Sequence, residues 1–268
     1  DRLALAEAAA VLEVATDVRE YLDDLQLDLQ HIIQIPVSAR DGDNIVTPST
    51  TCKWYNGPTL TGALDVLQPP VGSLDLPLRF PVQDVYKFDD RRILAGRIVS
   101  GRLRVGDRLL FSPSNKTARV KTIEAWHAAT PEEVGPGESV GITIDEQLFL
   151  ERGEFASHED APPIETNVFR GRIFWLGRAP LVAGAAYRLR LQTREVQVIV
   201  EQIEAIHDPD ALTQRPADKV ERNEIADVVL RSYAMLALDE ATQNPKTGRF
   251  VLTDGANILA GGAISMRD

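Results

Sequence analysis

Residues 92–111 read RILAGRIVSGRLRVGDRLLF. Apolar and polar residues alternate along 92–99 and again along 104–111, the period-2 pattern of short, half-buried strands. Ser100-Gly101 and Val105-Gly106-Asp107 interrupt them, and glycine supplies the positive φ that a tight reversal needs. Working outward, the same grammar continues. Strands are expected at 78–87, 117–126, 138–144, 168–176, 185–192, 195–206, 225–235 and 248–254, with Gly135-Pro136-Gly137 as another turn. Ten strands with almost no helix between them specify barrels or sandwiches. Their span exceeds one small barrel, and His158–Ile164, stiffened by Pro162-Pro163, reads as the linker between two.

Before Pro69-Pro70 the period is different. Leu3, Ala6, Ala10, Val14, Val18, Leu22 and Leu25 recur at helical spacing, so 3–29 reads as an amphipathic helix. His31–Val37 (HIIQIPV) then reads as a buried parallel strand, followed by the turn Ser38–Asn44. A second helix is expected from Asn56-Gly57-Pro58 through Leu60, Leu64 and Leu67. Helix, strand, loop and helix form the end of an α/β sheet, whose ligands sit at strand carboxyl ends. The domains expected are therefore 1–70, 71–164 and 165–268.

The chain has 268 residues, 44% apolar and 26% charged, and its mean hydropathy is −0.15. That balance excludes a disordered polymer, and no apolar run reaches the roughly 18 residues of a spanning helix. One cysteine, Cys52, and four scattered histidines (His31, His127, His158, His207) give no metal site. A cytoplasmic, metal-free chain without a membrane partner is expected. Net charge is −11, which opposes nonspecific nucleic-acid binding. Between Arg91 and Lys121, however, nine basic residues stand against one acid, Asp107. Arg91, Arg92, Arg97, Arg102, Arg104 and Arg108 of that stretch are a candidate docking patch; solvated hairpin faces are the plainer reading.

The segment Ile35-Pro-Val-Ser-Ala-Arg-Asp-Gly-Asp-Asn-Ile45 resembles the last guanine-nucleotide motif of elongation factor Tu-like GTPases. The order Gly96–Gly101, Arg104–Asp107, Val120–Ile123 and Gly137–Val140 resembles their second domain. Asn244–Asp254 and Ala260–Ile264 resemble the third. The resemblance implies a mainly β fold: two consecutive β-barrels preceded by the α/β carboxyl-terminal remnant of a P-loop GTPase domain. It also implies GTP as cofactor, with Ala39 offering a backbone N–H to the guanine oxygen, Ser38 shaping the loop and Arg40 standing where Lys or Leu is usual. Trp54–Leu60 (WYNGPTL), Arg79–Gln83 (RFPVQ) and the NPKTGRFVLTDG run resemble one branch, the GTPase subunit family of bacterial ATP sulfurylase. That branch implies sulfate assimilation: GTP hydrolysis coupled to adenylyl sulfate and pyrophosphate formation from ATP and sulfate. Its partner is a catalytic ATP-pyrophosphatase-like subunit, and no nucleic acid is expected. The alternative is the barrel pair of a translation elongation factor gripping aminoacyl-tRNA.

No G-x-x-x-x-G-K-[ST], Asp-x-x-Gly or Asn-Lys-x-Asp motif occurs in the 268 residues. The chain alone is therefore expected not to hydrolyse GTP, and the ligands of a nucleotide-borne Mg2+ are not expected in it. No catalytic residue stands out. Asn244–Gly248 and His207–Asp210 read as turns. The adjacent pairs Asp23-Asp24, Asp89-Asp90, Glu132-Glu133 and Asp239-Glu240 read as solvated carboxylates. Trp54, Trp126 and Trp175 read as core or domain-interface residues.

Overall fold

The computed structural model describes residues 2–25, 29, 32–67, 73–87, 91–124 and 130–266. His31, Pro69-Pro70, Asp89-Asp90, Trp126 and His127 lie outside them. Two units are present, Asp1–Val71 and Gly72–Asp268.

In the first unit, α1 (Arg2–Asp24) forms in the alanine-rich periodic stretch but ends before the expected residue 29, Leu25 already lying in a turn. The second helix, α2 (Leu60–Asp65), is shorter than expected. Thr59 caps it, its hydroxyl accepting the Gly62 N–H at 3.1 Å. The buried strand expected over 31–37 is a correction: residues 32–37 form no strand, and Ile33 and Val37 are 52% and 49% exposed. A parallel strand exists only by pairing with neighbours, and among the described residues this unit supplies no strand for it to pair with. Trp54 is likewise not core; it is 37% exposed and meets Tyr55 edge-on.

The second unit is all β. Its first half contains β1 (Phe80–Lys87), β2 (Arg92–Arg97), β3 (Leu103–Arg104), β4 (Arg108–Ser112), β5 (Lys116–Glu124), β6 (Glu133–Val134), β7 (Ser139–Ile144) and β8 (Phe155–His158). Six of these close a barrel in the order β1-β2-β7-β5-β4-β8, while β3 and β6 form a small ribbon. The single strand expected at 104–111 is two, because Gly106 at φ +92° reverses the chain.

The other half contains β9 (Ile164–Trp175), β10 (Leu181–Val182), β11 (Ala186–Leu191), β12 (Arg194–Asp208), β13 (Thr213–Arg215), β14 (Lys219–Val220), β15 (Ile225–Leu238), β16 (Arg249–Asp254) and β17 (Asn257–Ile264). The order β11-β16-β17-β9-β15-β12 closes through β11–β12 pairing, with β13 added outside and β10-β14 apart. Both barrels are filled by side chains. Phe80, Phe111, Ile123 and Ile142 pack the first, and Phe169, Trp175, Leu189 and Phe250 the second. Burial alternates along β15 from Ile225 to Tyr233 as the pleat requires, and the strand ends on three buried residues, Leu236–Leu238.

Two closing strands, β8 and β17, carry no sequence prediction. The first has four residues, too few for a period. The second contains Gly261 and Gly262, which mask its pattern. The Phe250 ring explains one of them: a Cβ at Gly262 would stand 2.3 Å from the ring, so bare backbone is needed for it to pack.

Candidate functional site

The Ser38–Asn44 turn is built by its own side chains. The Ser38 hydroxyl donates to Asp41 at 3.0 Å and accepts the Asp41 N–H at 3.2 Å; the Ser38 carbonyl accepts the Gly42 N–H at 2.8 Å. Asn44 lies at φ +55°, a conformation Asn tolerates better than most residues, and is buried. Its amide donates to the Pro36 carbonyl at 2.8 Å and accepts the Ser49 N–H at 2.7 Å, while its carbonyl takes the Leu60 N–H at 2.8 Å. The loop is thereby tied to the start of α2. Ala39 and Arg40 are exposed at its tip. Among the described residues nothing accepts from the Ala39 N–H.

The six candidate arginines do not form one surface. Arg91–Arg92 and Arg97 sit at opposite ends of β2, about 16 Å apart at strand rise. Arg91 approaches Glu124 at 3.6 Å, and Arg92 stacks on the exposed Phe149 ring at 4.7 Å. Arg97 donates to the Gly137 carbonyl. Arg102 and Arg104 share Glu133 at 2.7 and 2.5 Å, and Arg108 meets Glu159 at 2.8 Å. The hydrogen bonds from Arg102 and then Arg104 hold the Glu133 carboxyl below its ordinary range. Much of the positive charge is therefore matched locally.

What sequence reasoning missed is the junction between the barrels. Arg79 is 4% exposed and Asp239 is 7% exposed. The Arg79 guanidinium grips both Asp239 oxygens, through Nε at 2.9 and 3.1 Å and a second nitrogen at 2.7 Å. Its other terminal nitrogen donates to the Leu78 and Ala161 carbonyls, each at 2.8 Å. Thr247 donates to Asp239 at 2.5 Å, and Asn244 donates to Ser100 at 2.9 Å. Glu240, also buried, accepts the Met266 N–H at 2.7 Å. The reading of Asp239-Glu240 as solvated is thus corrected: both are buried because partners from distant sequence satisfy them. The available signal was Arg79 opening a strand rich in apolar residues.

The other expected turns are present. Asn244–Gly248 closes on itself through Gly248 N–H to Asn244 carbonyl, and Asp208 caps the turn after β12. His207 meets Asp227 at 2.6 Å, and Arg172 meets the same carboxylate at 2.8 and 3.0 Å. Among the described residues no three His, Cys, Asp or Glu gather as a metal site. Burial pushes the Asp227 carboxyl up, but Arg172 and His207 together outweigh it and hold it below the normal range. A depressed acid stabilises the fold above its unfolded pKa of about 3.9, and that contribution fades as pH falls through the folded value. Urea midpoints for Asp227→Asn should accordingly fall less than wild type between neutral pH and about pH 3.

Residues 168–265, which include most of the second barrel, match the GTP-eEF1A C-terminal domain-like family. Over most of its length the chain is similar to the carboxyl-terminal part of elongation factor 1-alpha proteins. It is 32% identical over 259 residues to elongation factor 1-alpha of Staphylothermus marinus, covering 94% of this chain and 59% of that protein. With the Pyrococcus abyssi protein of the same name it shares 35% over 249 residues, covering 87% and 58%. The chain thus spans less than two thirds of the length of these relatives. In fold it matches the crystal structure of sup35 complexed with GDP, with TM-score 0.69 and 22% identity over 87% of this chain and 58% of that one. The two sequence relatives are named as elongation factors, not as sulfate adenylyltransferases, and so favour the alternative reading. No helix among the described residues is long and apolar enough to cross a membrane.

Proposed function

We propose that the two barrels are the cargo-bearing body of a GTP-switched elongation factor, taking aminoacyl-tRNA, with the Ser38–Arg40 loop belonging to its guanine site. The buried Arg79–Asp239 junction carries this reading, because it lets a switch displace both barrels together. In the guanine site the free Ala39 N–H would meet the purine oxygen, where adenine would present a donor instead. Ser38 and Asn44 would hold that loop in place. GTP would supply the phosphate whose presence selects between docked states.

A second reading is favoured by the arginine pairing and the net charge of −11: both weaken a phosphate-binding face. In it, the same body docks on an ATP-pyrophosphatase-like subunit, and GTP drives adenylyl sulfate formation. The two are separated by titrating labelled aminoacyl-tRNA onto the chain across roughly 50–200 mM salt. Saturable binding that weakens steadily as salt rises is the expected result. Absence of binding at the lowest salt, together with co-purification of the ATP-pyrophosphatase-like subunit, would overturn the elongation-factor reading in favour of the second.

A further inference from the structure

At one end of the second barrel a cleft of about 650 Å3 opens between the loop after β9 and the β16–β17 hairpin. Its size lies within the range of ligand sites, about 300–1,000 Å3. Trp175 builds the floor. It is 1% exposed, its indole N–H donates to the Ala179 carbonyl at 2.9 Å, and Tyr187 meets its ring edge-on at 5.4 Å. The ring also lies against Gly177, where a Cβ would come within 2.5 Å of it. The Leu176 N–H bonds the Leu259 carbonyl at 2.7 Å, closing the wall. These contacts fix the loop that carries Arg178.

On this rigid support the exposed groups are unusual. Leu176 and Ile258 are large apolar side chains facing solvent. The Arg178 guanidinium and Asp254 carboxylate have no hydrogen-bond or ion-pair partner among the described residues, whereas many arginines of this unit are paired. Burial, aided by Asp254, raises the Tyr187 phenol, so it stays a neutral donor. An unpaired guanidinium beside apolar and aromatic surface is the composition of an interface hot spot. The Asp254 carboxylate repels a phosphate backbone but accepts a peptide N–H.

We propose that this cleft docks an extended peptide segment of a partner protein, seating an aromatic or branched apolar side chain on Leu176 and Ile258 and a neighbouring carboxylate on Arg178. The probe is the blocked peptide acetyl-Gly-Phe-Asp-Gly-amide, titrated into the isotope-labelled chain and followed by amide chemical shifts. Shifts are expected at Leu176–Ala179 and Asp254–Leu259. Affinity is expected to fall roughly ten-fold, the worth of one charge-assisted hydrogen bond, in Arg178→Ala or when the peptide Asp is replaced by Asn. Ile258→Ala, also an exposed position, should weaken binding without altering the near-ultraviolet dichroism of the fold. Shifts confined to other surfaces, or affinity unchanged in both variants, would overturn the proposal. So would a short single-stranded RNA that displaces the peptide and reproduces its shifts, since the cleft would then be a phosphate site.

Discussion

Replacing Asp239 by alanine is expected to destabilise the two-barrel unit by about 3–5 kcal/mol, the cost of leaving one partner of a buried ion pair uncompensated. The Arg79 guanidinium would keep its two carbonyl acceptors but lose both carboxylate oxygens in a site 5% exposed on the arginine side. Thr247 would lose its acceptor as well. For a unit of this size the thermal midpoint should drop by roughly 6–20 °C. Arg79→Leu combined with Asp239→Leu should recover much of the loss, because replacing both charges removes the desolvation penalty along with the attraction. A single alanine variant as stable as wild type in calorimetry would mean the pair is solvated in solution.

Gly101→Ala should be nearly as costly, for a different reason. Gly101 has φ +71°, and a Cβ there would lie 2.5 Å from both Cα and N of Leu78. Backbone atoms cannot swing aside as a side chain can. Left-handed strain of about 1–2 kcal/mol adds to about 1–3 kcal/mol of overpacking. The turn also supports the junction: the Gly101 N–H donates to Ser73, and Ser100 receives Asn244. Gly106 is the internal control. Its φ is +92°, yet nothing lies within 4 Å of where its Cβ would be. Gly106→Ala should therefore cost only the backbone strain, about 1–2 kcal/mol. Equal losses in chemical denaturation would show that the close approach at Leu78 does not matter.

The barrels were legible because alternation and turn chemistry are local. Residues 92–97 and 108–112 show their strands in their own pattern, and Gly101 and Gly106 mark their turns where positive φ is needed. Closure was not legible. Whether β8 completes a ring depends on pairing with β1 and β4, and neither partner leaves a trace in Phe155–His158. The apolar run before Ser38 shows the converse error: it has strand composition but no strand, since composition cannot supply a neighbour. The Ser38–Asn44 turn is visible in the sequence, but the role of Asn44 in tying it to α2 depends on contacts up to sixteen residues away. Asp239 was read as solvated because adjacent carboxylates usually are. Its partner Arg79 lies 160 residues earlier, a separation over which pattern carries no information.

Joined by the buried Arg79–Asp239 pair, the two barrels form one body. Residual dipolar couplings measured on backbone amides of each barrel, in one weakly aligned sample, test it most directly. Couplings from both barrels fitting a single alignment tensor, and splitting into two in Asp239→Ala, is the result expected. Two distinct tensors in the unmodified chain would contradict it.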